Sequence, residues 1–393
     1  MNQSLEPLLS TWGIIQKYPE DMLVSNETEA LVLKNVSTAI NSTLQIKPYY
    51  GDQLSIYKDS YSTIHGYISI FVCLFGITAN VMNIIVLTRK NMISPINAIL
   101  TGLAIADMMV MLSYLPFGFH NYLRFSLSER EKYTFGWAAF TLFHAHFSVV
   151  NHTTSTWLTV TVAIWRVMAV CYPAPTMKYR GLPQARIAVA CTYLACAIFC
   201  IPNYFSFAVK EFRDNENHTL YRVTLSDMAT ANNGLLTAVD FWMFSVMSKI
   251  VPCVALTGLS CGLLKVLYKA NLRRQRLQVR SDTDKTHDRT TRMLLAVLFL
   301  FLLTQFPSGI LALLTGALGE DFFHNVYVNF GETMDIVSLV NSAVNFIIYC
   351  TMSRQFRDTF TFIFFHRFGK SKWAAIPPAE PTQTMGTMGT ACL

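Results

Sequence analysis

Residues 95–118 read PINAILTGLAIADMMVMLSYLPFG and carry one formal charge, Asp107. A helix of this length covers the roughly 30 Å of hydrocarbon in a bilayer. Six other stretches are similarly long and apolar, and together they add only two formal charges, Lys249 and Asp335. The seven stretches are 64–87, 95–118, 138–164, 187–209, 241–264, 293–318 and 333–352. We therefore predict an all-α membrane protein, a seven-transmembrane helix bundle.

The composition agrees with a membrane protein. Of 393 residues, 52% are hydrophobic and 14% are charged, against about 25% charged in a soluble domain. A soluble enzyme, a secreted disulfide scaffold and a nucleic-acid binder are excluded as first interpretations. All nine cysteines fall in predicted helices or cytoplasmic segments, so we expect no disulfide framework outside. No His or Cys pair outside the apolar helices has ligand spacing, so we expect no metal site.

Basic residues indicate the orientation. With the N-terminus outside, the cytoplasmic segments carry 20 Lys and Arg and the outer segments carry 10, as the positive-inside rule requires. Acidic residues are distributed the other way, with 17 outside and 5 inside. The outer excess is typical of a solvated surface or of ligand attraction, and the sequence leaves both open. We expect a multi-pass plasma-membrane protein with an extracellular N-terminus.

Glycosylation sequons support this orientation. Four lie in the segment 1–63 and one lies in the second outer loop, each with the pattern Asn-x-Ser/Thr. The predicted sites are Asn2, Asn26, Asn35, Asn41 and Asn217. We interpret 1–63 as a glycosylated extracellular N-terminus. It has no basic flank followed by an apolar run, so we expect no cleaved signal peptide.

Marker residues in six of the seven stretches occur in a recognisable order. They are Asn80, the run 103–107 (LAIAD), Ile164-Trp165-Arg166, Pro252, Phe301 with Pro307, and Asn345 with Tyr349. Over about residues 64–365 this pattern resembles the rhodopsin-like G-protein-coupled receptors. The resemblance implies a receptor that is not an enzyme and that signals through heterotrimeric G proteins.

Departures from the superfamily pattern narrow the resemblance. Trp165 replaces the acid before the helix-3 arginine, Gln305 replaces the helix-6 tryptophan, and Phe346 replaces the proline after Asn345. The usual disulfide between helix 3 and the second outer loop is also missing. With the runs 94–103 and 304–313, these features resemble the invertebrate myosuppressin and FMRFamide-type peptide receptors, with the sex-peptide and myoinhibitory type nearby. This resemblance implies an amidated RFamide-type neuropeptide as ligand, most closely a myosuppressin, and favours Gi/Go coupling.

Asp107 is the centre of the activation network that the resemblance implies. An ionisable group within a membrane helix is costly unless polar partners surround it. The resemblance places a sodium ion near Asp107 and implies no other cofactor; a purely structural polar cluster is the alternative. The predicted network residues are Asn80, Asp107, Ser155, Asn341, Asn345, Gln305 and Tyr349.

Arg166 and Trp165 are the predicted G-protein coupling residues. The resemblance implies that Arg166 contacts the G protein after helix 6 has moved outward. Trp165 cannot accept an ion pair, so we expect a weak inactive-state lock and measurable basal activity.

The ligand site is expected between the outer ends of helices 3, 5, 6 and 7. A peptide ending in Arg-Phe-amide requires a carboxylate, an apolar aromatic pocket and polar donors. Glu332 and Asp335 lie three residues apart near the outer end of helix 7, and Asp335 is the preferred arginine partner because it lies deeper. The candidate lining residues are His144, Phe140, Phe244 and Phe306, for which core packing or lipid contact is the alternative.

The cytoplasmic side completes the domain organisation. The bundle is assigned to 64–352, and 353–366 has the aromatic and basic pattern of a short interfacial eighth helix. The remaining 367–393 is interpreted as a disordered cytoplasmic tail. The resemblance implies arrestin as a further partner, and the basic third inner loop suits either a G protein or anionic membrane lipids.

A membrane transporter is the main alternative from another class. Transporters are commonly built from inverted repeats or paired broken helices, and we find no repeat among the seven stretches.

Overall fold

The computed structural model describes residues 51–124, 127–171, 180–214, 216–231, 235–277, 282–318 and 322–365. These ranges contain mostly α-helix and one antiparallel hairpin. In chain order the helices are α1 (Gly51–Leu87), α2 (Pro95–Gly118), α3 (Glu129–Lys132), α4 (Phe135–Cys171), α5 (Leu182–Phe199), α6 (Ile201–Ser206), α7 (Asp227–Thr230), α8 (Leu235–Met243), α9 (Val251–Leu277), α10 (Asp282–Leu318), α11 (Val328–Met352) and α12 (Arg354–Phe365). Strands β1 (Phe207–Arg213) and β2 (Thr219–Leu225) follow α6.

Seven helical rods form the bundle. They are α1, α2, α4, α5 with α6, α8 with α9, α10 and α11. Three π-helical segments extend or join these rods: Phe119–Leu123 continues α2, Phe244–Ile250 joins α8 to α9, and Phe323–Tyr327 precedes α11. Among the described residues, five helices are long and apolar enough to cross a membrane, and α10 contains a shorter apolar helix, Leu302–Leu318. Large apolar side chains cover the outside of the bundle, as at Phe71, Ile187 and Phe299, which are 62–72% exposed. Such a surface suits lipid contact.

The helix boundaries follow tertiary packing as well as composition. Ser94 caps α2, since its Oγ accepts a hydrogen bond from the Asn97 backbone N–H at 3.1 Å, and Pro95 occupies the first turn. Helix α1 begins at Gly51, earlier than the predicted apolar stretch from residue 64. Its polar first turns pack on α11, where the hydroxyls of Tyr57 and Thr333 are hydrogen-bonded at 2.8 Å. Packing of this kind stabilises helical turns that lie outside an apolar run.

The β-hairpin lies over one end of the bundle, which we call the hairpin end. Its strands pair from Phe207 opposite Leu225 to Arg213 opposite Thr219. The Tyr221 N–H donates to the Tyr133 carbonyl at 2.8 Å, just before α4 begins. Phe207 and Val223 pack with Ala145 in a buried cluster. Backbone hydrogen bonding and apolar packing thus fasten the hairpin to α4 without a cysteine.

The hairpin turn holds one predicted glycosylation residue. Asn217 is exposed and has φ 67°, a left-handed conformation that asparagine tolerates better than most residues. Asp214 accepts hydrogen bonds from the backbone N–H groups of His218 and Glu216, and these donors, His218 first, hold the pKa of its carboxyl below its ordinary value. The other predicted glycosylation residues, Asn2, Asn26, Asn35 and Asn41, lie outside the described residues, as does 367–393.

The opposite end carries α12 and is called the α12 end. Asn91, beyond the end of α1, donates through Nδ2 to Thr359 Oγ1 at 2.8 Å and accepts through its carbonyl from Gln355 Nε2 at 2.7 Å. Phe356 and Phe360 pack against Phe346 of α11. The helix predicted over 353–366 is observed as α12, lying against α1 and α11.

The Trp242 side chain of α8 packs against the backbone of α10 near the hairpin end. A Cβ added to Gly316 of α10 would lie 2.6 Å from Cη2 of the Trp242 ring. This separation is below any real Cβ contact, so only glycine allows the indole to rest on the α10 backbone.

Candidate ligand cavity and activation network

An open cavity lies among α2, α4, the 244–250 segment and α11. Its apolar and aromatic wall combines with two side chains of opposite charge, Lys249 and Asp335. The aromatic and imidazole lining comes from Tyr114, His144, His152, Phe244 and Tyr327. Apolar walls with a few convergent polar groups are typical of ligand sites.

Asp335 is the acidic group of the cavity. It lies about two turns into α11 and lines the same wall as Gly331 and Ser338. Within the described residues its carboxylate has no hydrogen-bond donor. Lys249 is a counter-charge that acts on this carboxylate, although the two side chains do not form a direct ion pair. The carboxylate is therefore available to a ligand cation.

Glu332 lies apart from the cavity wall. Its Oε1 accepts a hydrogen bond from Ser62 Oγ of α1 at 3.2 Å, and Tyr61 and Tyr122 are close by. Residues three apart on a helix differ in direction by about 60°. That offset directs Glu332 towards α1 while Asp335 faces the cavity. The structure thus separates the two carboxylates that the sequence prediction paired.

The predicted aromatic lining residues divide into two sets. Phe244 and His144 line the cavity, and His144 is buried and hydrogen-bonded through Nδ1 to the Ser113 hydroxyl at 3.1 Å. Phe140 packs beside Trp137 and His144 but does not line the cavity. Phe306 is 52% exposed on the outer face of α10. Phe306 therefore cannot line the cavity, because its position on the helix turns it away from the bundle axis.

Asp107 lies deeper, with 1% of its surface exposed. Its Oδ1 accepts from Ser155 Oγ at 2.6 Å and its Oδ2 accepts from Asn345 Nδ2 at 3.1 Å. Ser342 is a further hydrogen-bond neighbour. These contacts join α2, α4 and α11 through one carboxylate, and charge-assisted hydrogen bonds of this kind are the stronger class.

Asn80 joins α1 to the same cluster indirectly. Its Nδ2 donates to the backbone carbonyl of Ser342 and to that of Gly76, each at 3.0 Å. Asn341, the predicted neighbour of Asp107, has no hydrogen bond to it, and the next residue, Ser342, takes that place. Which residue of an i, i+1 pair faces a partner depends on helix rotation, which sequence spacing defines poorly.

Two predicted network residues lie elsewhere. Tyr349 is 2% exposed and its ring packs on Phe356 of α12, at 5.6 Å between centroids. Gln305 is 1% exposed, lies beside the His152 ring, and has no hydrogen-bond partner for Nε2 in the described structure. Neither residue forms a hydrogen bond with Asp107. Tyr349 lies towards α12 and Gln305 lies beside His152, so the predicted network is divided into separate parts.

Arg166 lies near the last turns of α4. It is 8% exposed, and its Nε has no hydrogen-bond partner among the described residues. The neighbouring Trp165 is partly buried and packs with the cluster around Tyr349. The side chains at 287 and 288 in α10 lie outside the described residues. In the described part of the chain, no carboxylate forms an ion pair with Arg166.

A second buried polar chain escaped the sequence prediction. His146 Nδ1 is hydrogen-bonded to Asn203 Oδ1 at 2.9 Å, and Asn203 Nδ2 donates to Asp240 Oδ2 at 3.2 Å. It connects α4, α6 and α8 beneath the hairpin. Asp240 immediately precedes the predicted apolar stretch 241–264. That position is the sequence feature that could have placed it at the border of the membrane segment.

Comparison with known proteins identifies the family. The family model described as serpentine-type seven-transmembrane G-protein-coupled chemoreceptor Srw matches residues 67–367. The chain is 33% identical to the G-protein coupled receptor dmsr-1 of Caenorhabditis elegans, covering 79% of this chain and 70% of that protein. The chain belongs to the G-protein-coupled receptors. The predicted resemblance to rhodopsin-like receptors is confirmed, so the receptor is a multi-pass membrane protein and not an enzyme or a transporter.

Two further relatives come from Drosophila melanogaster. The receptor is 27% identical to the sex peptide receptor, over 79% of this chain and 74% of that protein. It is 24% identical to the FMRFamide receptor, over 75% of this chain and 53% of that protein.

Proposed function

We propose that the protein is a receptor for an amidated RFamide-type neuropeptide, a myosuppressin, and that it signals through heterotrimeric G proteins of the Gi/Go class. The observation that carries the proposal is the Asp335 carboxylate, which faces an aromatic-lined cavity without a hydrogen-bond donor in the described structure. A partly buried carboxylate of this kind favours a ligand cation.

The chemistry of a peptide ending in Arg-Phe-amide matches this cavity. Its guanidinium can form a two-hydrogen-bond contact with the Asp335 carboxylate. Its phenyl ring can pack among Phe244, Tyr327 and Tyr114, where aromatic pairs contribute beyond simple burial. The uncharged amide brings no second anion close to Asp335.

The names of the relatives support a peptide ligand. One relative is a receptor for FMRFamide and another is a receptor for sex peptide. The cavity residues of this chain favour the first type, since a cationic side chain next to an aromatic residue suits Asp335 and Phe244 together.

We also propose the orientation of the receptor in the plasma membrane. The hairpin end and its cavity face outward, in agreement with the excess of basic residues on the other side. The α12 end faces the cytoplasm, where Arg166 and the basic third inner loop are placed to contact a G protein, arrestin and anionic lipids. Asn217, exposed at the hairpin turn, is then accessible to glycosylation in the secretory lumen.

A sodium ion is the proposed occupant near Asp107. The oxygens of Asp107, Ser155 and Asn345 are hard ligands of the kind that such cations prefer. An ion held there would balance the carboxylate charge in the inactive receptor.

The experiment is a G-protein activation and cyclic-AMP assay in transfected cells with surface expression confirmed. A peptide ending in Phe-Leu-Arg-Phe-amide is titrated against its free-acid form. We expect a response to the amide with a fall in cyclic AMP. Silence to both peptides would refute the myosuppressin assignment and direct the search to sex-peptide and myoinhibitory peptides.

A further inference from the structure

Lys249 is a cationic side chain inside the membrane bundle that the proposed arginine contact does not use. It is 9% exposed and lines the same cavity as Asp335. An ionisable residue at such a depth is costly, and where it occurs it commonly serves a ligand or a charge partner. The groups around Lys249 therefore indicate which partner or ligand it serves.

The backbone around Lys249 is arranged to direct it inward. The segment Phe244–Ile250 is π-helical, and the Val251 N–H bonds to the Val246 carbonyl five residues earlier. Pro252 follows and has no N–H to give to the Ser248 carbonyl. Insertions of this type re-aim side chains and are frequent at functional sites. Ser248, beside Lys249, also bonds across to Thr153 of α4 at 3.3 Å.

The ammonium group contacts α10. Lys249 Nζ donates to Ser308 Oγ at 3.0 Å, and Ser308 Oγ donates in turn to the Gln305 carbonyl, also at 3.0 Å. Gly309, next to Ser308, leaves ordinary van der Waals space beside the Lys249 stem. The chain of hydrogen bonds reaches α10 on both sides of Pro307, the residue that interrupts its backbone bonding.

We propose that Lys249 recognises the C-terminal carboxamide oxygen of the peptide, and that in the ligand-free receptor it fastens the 244–250 segment to α10 through Ser308. The inference rests on the proposed function. The cavity then has two recognition groups: Asp335 for a cation and Lys249 for an acceptor. When Lys249 turns from Ser308 to the ligand, the link to α10 is released.

The recognition test uses two peptides. One ends in Phe-Leu-Arg-Phe-amide, and the other carries a phenethylamide in place of the final residue, which keeps the ring and removes the carboxamide. In the wild-type receptor we expect the amide to bind about tenfold to a hundredfold more tightly, as for a hydrogen bond to a charged donor. Lys249→Met should bind both peptides equally, and Lys249→Arg should keep the preference. An unchanged preference in Lys249→Met would refute the recognition role.

The fastening test measures basal G-protein activation with surface expression matched. Ser308→Ala removes the acceptor on α10 and should raise basal activity while keeping the preference for the amide. Lys210→Met, which removes a half-exposed hairpin lysine that pairs with Asp227 outside the cavity, is the matched control and should change neither property. Wild-type basal activity in Ser308→Ala would refute the fastening role.

Failure of the proposed ligand gives a different result. The wild-type receptor would then bind neither peptide, and that outcome would refute the carboxamide recognition together with the ligand. Basal activity needs no ligand, so Ser308→Ala still decides the link to α10 independently.

Discussion

Asp107 and Asp335 are the two aspartates inside the seven apolar stretches, and their surroundings are opposite. Asp107 is 1% exposed and both of its oxygens accept hydrogen bonds, from Ser155 and Asn345. Asp335 faces an open cavity and has no donor within the described structure. A carboxylate whose partners are all supplied by the protein holds helices together, whereas one without partners is ready to bind a ligand. Asp107 is therefore suited to transmitting the signal between helices, and Asp335 is suited to recognising the ligand.

The sharpest test of this contrast is Asp335→Asn. We expect the affinity for the Phe-Leu-Arg-Phe-amide peptide to fall about a hundredfold or more, because loss of one partner of a buried charge pair costs about 2–5 kcal/mol. Competition binding on membranes measures the change. Glu332→Gln is the matched control, since Glu332 faces Ser62, and it should alter affinity far less. Equal losses in the two variants would contradict the assignment of Asp335 as the arginine partner.

Asp107→Asn should separate binding from signalling. We expect normal surface expression and nearly unchanged peptide affinity, with a loss of G-protein activation and of any effect of sodium on agonist affinity. A reciprocal exchange, Asp107→Asn with Asn345→Asp, returns a carboxylate to the same contact and should restore part of the signalling. Unchanged signalling and sodium sensitivity in Asp107→Asn would leave the cluster a purely structural role.

A smaller effect is expected at Trp165. The described structure gives Arg166 no acidic partner, so the wild-type receptor should show basal activity, an equilibrium shifted towards the active state by about 1 kcal/mol. Trp165→Glu supplies an acid beside Arg166 and should lower basal G-protein activation by about fivefold, the change that corresponds to that energy. A silent wild-type receptor in a reporter assay would argue against a weakened lock.

The smallest expected effect concerns the roof of the cavity. The hairpin is fastened by the bond from Tyr221 to Tyr133 and by packing, with no cysteine in the outer loops. Dithiothreitol should therefore leave peptide binding unchanged. A related receptor that has the usual disulfide serves as the positive control for reduction. Inhibition of this receptor by dithiothreitol would contradict the prediction, because it would show that a disulfide supports the site.

The sequence predicted the bundle well because its signals are local. Seven apolar stretches can be recognised without knowledge of packing. The early start of α1 escaped prediction because polar turns there are stabilised by α11, as the contact between Tyr57 and Thr333 shows. The β-hairpin escaped for a similar reason, since its register depends on its support by α4.

The site was predicted unevenly, and helix rotation explains the pattern. Ser155 and Asn345 contact Asp107 as the resemblance implied, because marker positions fix the faces of their helices. Ser342 was missed beside Asn341, and Phe306 points outward, because about 100° separates neighbouring residues on a helix. Lys249 was recognised only as a charge without a clear partner, since a π-helical insertion alters the facing of side chains and has no sequence signature.

The contact between Gly316 and Trp242 provides a point about which α10 can rotate. Residue 292 lies 24 positions before Gly316, or about 36 Å along the helix. Rotation of α10 by about 10° around this fulcrum would move its far end by about 6 Å, while atoms next to the indole would hardly shift. A ligand that releases α10 near this contact therefore needs to cause only a small rotation. Because the helix is long, that rotation moves its far end by about the length of a side chain.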